Sequence, residues 1–76
     1  MTSLATRTAL RYTRYALASG TVLHVTLRGG EVLTAGRYST AVGGRSWALL
    51  GHNSDRLERF DGCSELARRL LSLSQG

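Results

Sequence analysis

A chain of 76 residues with a net charge of +5, 42% apolar and 20% charged residues has the composition of one small globular domain, residues 1–76. That length lies near the lower limit at which a hydrophobic core folds a chain by itself, so a homodimer is an ordinary route to extra stability. The single cysteine, Cys63, excludes an internal disulfide and suits a reducing cytoplasm, and no apolar run approaches the roughly 20 residues needed to cross a bilayer.

Residues 4–18 read as a helix. Leu4, Ala5, Ala9, Tyr12, Tyr15 and Ala16 cover one side of a helical wheel, with Arg7, Arg11 and Arg14 in a stripe beside them and Leu10 and Leu17 off the main apolar side. Thr2 or Ser3 suits the start, and Gly20 falls where a left-handed residue ends a helix. Arg11 and Arg14 interrupt any h-region, which argues against a signal peptide. The acid-free, Arg- and Ser/Thr-rich stretch 2–18 also has the composition of a mitochondrial-type presequence.

From Thr21 the period changes to two, as in a strand: Thr21, Leu23, Val25 and Leu27 alternate with Val22, His24, Thr26 and Arg28. Gly29-Gly30 suits a tight turn. A second strand follows from about Glu31 to Val42, bent or bulged near Gly36. A two-residue turn sets Arg28 opposite Glu31, a favourable pair, but Thr26 opposite Leu33, which mixes polar and apolar on one face and asks for a bulge. Gly43-Gly44 repeats the device before a third strand, Arg45–Leu50, which is apolar on both faces and so central. That hairpin sets Trp47 diagonally across from Tyr38, both in the core. The cluster 51–55 reads as a loop, and Arg56–Phe60 as a short edge strand. Asp61 suits the cap of a last helix whose Cys63, Leu66, Ala67, Leu70 and Leu71 recur at helical spacing, with Glu65 able to pair with Arg69 and residues 72–76 frayed. The expected fold is α+β, order α-β-β-β-β-α: a four-stranded antiparallel meander with both helices on one face.

Little in this chain suggests catalysis or a cofactor. His24, His52 and Cys63 lack the paired spacing of zinc ligands, so no metal site is expected. Cys63 falls on the first apolar position of its helix, near Asp61, and reads as a small core residue rather than a thiolate nucleophile. Gly44-Arg45-Ser46-Trp47-Ala48 lacks the last glycine of a nucleophile elbow and lies at a hairpin. The acids are interleaved with arginines, which does not make a general acid/base pair. The glycine pairs sit between strands, unlike a phosphate-binding loop. The expectation is a non-enzymatic protein without cofactor.

Charge is the functional signal. All ten basic side chains are arginine, whose planar fork grips phosphates and carboxylates. A G- and C-rich gene explains the missing lysine, since isoleucine and proline are missing too, but it does not explain placement. Residues 1–30 hold Arg7, Arg11, Arg14 and Arg28 with no acid; residues 31–76 hold six arginines and all five acids. With Tyr12 and Tyr15 beside the stripe, and Arg28, Arg37 and Arg45 near the hairpins, these residues make a candidate binding face for nucleic acid or a nucleoprotein complex. The competing explanation packs both tyrosines between helix and sheet and leaves the arginines merely solvated. A second functional expectation is a phage- or plasmid-type protein inhibitor or adaptor that docks on an acidic surface of a host protein complex.

Overall fold

The structure, a computed structural model, describes residues 4–39 and 45–75, with side-chain surroundings for residues 7–38 and 46–75. The elements follow the expected order: α1 Leu4–Ala18, β1 Leu23–Thr26, β2 Val32–Ser39, β3 Arg45–Gly51, β4 Leu57–Phe60 and α2 Cys63–Gln75. The strands pair antiparallel in the order β1-β2-β3-β4, which makes β3 a central strand and β4 an edge. The α+β meander with a helix at each end is therefore the observed fold. The Gly43-Gly44 turn lies outside the described residues.

Gly30 sets the register of the first hairpin. Its N–H donates to the Leu27 carbonyl at 2.9 Å, the Leu27 N–H donates to Glu31 at 2.8 Å, and its φ is +93°. The loop is thus three residues, Arg28-Gly29-Gly30, closed by a left-handed glycine, the usual way such a loop keeps strand twist. Compared with a two-residue turn, every pair moves by one: Leu27 faces Glu31, Thr26 faces Val32 and Val25 faces Leu33. The bulge sits in the turn and not near Gly36, where both registers run without interruption. Gly36 instead lets Val22 approach, since a Cβ there would lie 3.3 Å from Val22 Cγ2.

One face of the sheet carries Leu23, Val25, Leu33, Ala35, Trp47, Leu49 and Phe60, and both helices cover it. α2 lies over β3 and β4; α1 packs on α2 and reaches β2. Leu17, Leu33, Ala35, Leu49, Leu66, Ala67 and Leu70 form the buried cluster, with Leu10, Cys63 and Leu73 at its margin. In the second hairpin Tyr38 pairs with Ser46 and Trp47 with Arg37, so the two rings lie on opposite faces rather than sharing the core.

The close of α1 meets expectation, and both ends of α2 depart from it. α1 closes as anticipated: Gly20 has φ +92°, with Gly20 N–H donating to Leu17 and Thr21 N–H to Ala16, both at 3.0 Å. These are the paired bonds of a Schellman motif. α2 begins at Cys63, so the cap position falls on Gly62, whose carbonyl accepts from the Leu66 N–H, and not on Asp61. The helix continues through Ser72 to Gln75, where fraying was expected, because Leu73 packs against the core.

Candidate functional site

The rotation of α1 decides what its side chains can do. Leu17 is fully buried and Leu10 packs at the core margin, seven residues apart on one side of the helix. Those two leucines, off the face chosen on the wheel, are the anchors. The face predicted to be apolar is turned outward at its tyrosines: Tyr12 is 72% and Tyr15 75% exposed. The reason is chemical: a leucine gains only from burial, whereas a tyrosine keeps a hydroxyl that water satisfies.

Arg7, Arg11 and Arg14 are exposed on the same helix. At about 1.5 Å of rise per residue they span roughly 10 Å, close to three phosphate steps along one strand of a duplex. Among the described residues no carboxylate forms an ion pair with any of them; the ion pairs join Arg56 to Glu31 and Glu58, and Arg69 to Glu58. The result is three guanidinium forks without an ion-pair partner among the described residues, beside two open rings.

The other candidate residues are dispersed. Arg28 is exposed in the β1–β2 turn, whereas Arg37 and Arg45 belong to the far end of β2 and its partner strand, with Arg45 opposite Ser39. The Arg37 guanidinium lies over the Trp47 ring, 5.7 Å from its centroid, a cation–π contact between paired residues. The side chain of Arg45 lies outside the described residues.

Two groupings went unforeseen. The first is structural: Arg56 holds Glu31 by Nε at 2.7 Å and Nη2 at 3.3 Å and Glu58 by Nη1, while Arg69 holds Glu58 by Nε at 2.8 Å and Nη2 at 3.3 Å. Glu31 therefore pairs with Arg56 instead of Arg28, and Arg69 with Glu58 instead of Glu65. Arg56 and then the Ser54 hydroxyl hold the Glu31 carboxyl below the ordinary carboxylate value. Arg69 and then Arg56 do the same for Glu58 against the opposing pull of burial. Asn53 adds backbone pins, its amide donating to Gly30 and accepting from the Val32 N–H, both at 2.9 Å. The 51–56 loop is thereby fastened to the first hairpin.

The second grouping lies on the open face of the sheet. Thr34 Oγ1 hydrogen-bonds His24 Nδ1 at 3.2 Å and also His52 Nε2, and the two rings stand 6.2 Å apart. Sequence separation made the histidines look unrelated; the register places His24 directly beside Thr34, and His52 two residues beyond its other neighbour, Leu50. Among the described residues no group of three His, Cys, Asp or Glu side chains is placed to hold a metal ion, and no helix is long and apolar enough to cross a membrane. No protein-family model matches the chain, and no curated protein or solved structure is significantly similar to it.

Proposed function

We propose that the protein is a non-catalytic binding module that docks on nucleic acid, free or within a nucleoprotein complex, through the outer face of α1. The observation that carries this is the exposure of Tyr12 and Tyr15, nearly three-quarters each, among arginines that have no ion-pair partner among the described residues. Burial of these rings was the bland alternative, and it does not describe them. Arg7, Arg11 and Arg14 would neutralise phosphates, while the rings would stack on unpaired bases, a contact worth about 1–3 kcal/mol per base. Single-stranded stretches fit best, because a base paired within a duplex offers no free face to a side chain.

The test is fluorescence anisotropy with labelled 20-nucleotide single strands and the matching duplexes, DNA and RNA, across a salt series. The expected result is binding at low salt that weakens steeply as salt rises. Replacing Arg7, Arg11 and Arg14 with Ala should flatten the log–log slope by about 0.7 per arginine on single strands. Tyr12→Ala with Tyr15→Ala should lower affinity without changing that slope. No binding to any of these at low salt would sink the reading and favour the docking of the same arginines on an acidic protein surface.

A further inference from the structure

The face of the sheet away from the helices is half apolar, and both helices pack on the opposite side of the sheet. The register brings Tyr38, Ala48, Leu50, Leu57 and Arg59 onto it, and Val22 leans in from the edge over Gly36. Val22, Leu50 and Leu57 are 49%, 43% and 55% exposed. Between them lies a hollow of about 270 Å³ floored by Gly36 and Ala48. That is slightly below the roughly 300–1,000 Å³ of pockets that take a whole small molecule, and enough for one large side chain. Exposed apolar patches rimmed by polar groups mark interaction sites.

The charge of the rim says which partner fits. Arg59 is exposed and, among the described residues, has no ion-pair partner, and no carboxylate lines the hollow. A second copy of the chain is a poor occupant. Four strands at about 4.8 Å spacing and about 20 Å of length present only some 400 Å² of flat face, half of the roughly 800 Å² per partner of a standard interface. Two copies face to face would also set hollow against hollow, and neither face has a carboxylate near the hollow for the other's Arg59.

We infer that this face is a second docking surface, for an acidic protein segment that seats one bulky apolar side chain in the Gly36–Ala48 hollow and a neighbouring carboxylate on Arg59. It is separate from the α1 face, so one molecule could hold nucleic acid on one side and a protein on the other. The segment's apolar side chain supplies burial, and the Arg59 fork supplies direction, since a carboxylate on the correct side of that residue accepts two parallel N–H bonds.

The probe is a random dodecapeptide phage library panned on the intact protein, followed by anisotropy with the enriched peptides as labelled synthetics. The expected result is peptides carrying Asp or Glu beside Phe, Leu or Trp, bound at least tenfold more weakly by Leu57→Glu and by Arg59→Glu, and unaffected by the triple arginine variant of α1. Circular dichroism of both variants guards against misfolding, and Arg59→Lys should keep part of the affinity. Enrichment of basic peptides, no enrichment, or binding untouched by Leu57→Glu and Arg59→Glu would overturn the inference. So would a concentration-dependent dimer in sedimentation that Leu57→Glu dissociates, since the occupant would then be a second copy. Because the α1 variant is bound normally in the expected outcome, failure here leaves the nucleic-acid reading standing, and the reverse holds too.

Discussion

α1 and α2 sit side by side on the same face of the sheet and use arginine differently. α2 buries Leu66, Ala67 and Leu70 and ties Arg69 to Glu58, so that arginine is spent inside the fold while its neighbour Arg68 is exposed. α1 is held by Leu17 and Leu10, and its three arginines have no acid within reach among the described residues. Composition treats these arginines alike, yet one kind holds the fold together and the other is available to a partner. A count of basic residues therefore overstates the binding surface: Arg56 and Arg69 are committed to carboxylates and Arg37 to the Trp47 ring.

The largest effect should come from the anchors. Leu66→Ala removes a fully buried side chain under α2, a change that costs about 2–5 kcal/mol depending on how far the site collapses. In a chain this small that takes most of the net stability, at about 4–8 °C in Tm per kcal/mol. Leu17→Ala, equally buried, should fall in the same range by urea or thermal unfolding. A cost under about 1 kcal/mol for Leu17→Ala alone would break the parallel and make α1 an appended helix rather than part of the core.

A smaller, pH-dependent effect should separate the spent arginines from the free ones. Arg69 and Arg56 hold Glu58 below its ordinary value of 4.5, and Arg56 holds Glu31 below it as well. The unfolded chain then takes up protons first as pH falls, so the ion pairs' contribution is complete above 4.5 and is lost as pH drops through the folded values. Glu58→Gln should lower Tm at pH 7 by less than Leu66→Ala does. The gap between Glu58→Gln and the native chain should narrow as pH falls below 4.5 and through the lowered folded value of Glu58. A gap that stays unchanged across that fall would mean that Glu58 acts by shape and not by charge.

Much of this arrangement was readable beforehand, and the gaps share a cause. The alternation in Thr21–Arg28, the Gly29-Gly30 turn and the 3.6-residue period of α2 are local signals, and each element they imply is present. What local signals leave open is direction. A hairpin with Gly29-Gly30 admits a two- or three-residue loop, and that one-residue choice moves every pairing. It decided that Glu31 would meet Arg56 rather than Arg28. The second hairpin likewise set Trp47 and Tyr38 on opposite faces. On α1, a wheel that scores tyrosine as apolar turns the helix the wrong way, whereas Leu10 and Leu17 alone give the right one. The stripe Arg7–Arg11–Arg14 was legible from spacing; the openness of Tyr12 and Tyr15 was not, because it depends on that rotation.

The smallest expected effect is the most telling about α1. Arg7 and Arg11 stand four residues apart, and Arg11 and Arg14 three, so each pair repels across one helical turn by about 0.2–0.5 kcal/mol. Alanine is also at least as good a helix former as arginine. Replacing all three with Ala should therefore leave Tm unchanged or raise it by about 2–8 °C, measured by circular dichroism at low salt, with the rise shrinking at high salt as the repulsion is screened. A fall of several degrees would show that these side chains hold the fold through packing of their stems, and α1 would then resemble α2. A stable variant that has lost its partner would place the three charges where they oppose the helix slightly and serve only what the helix binds.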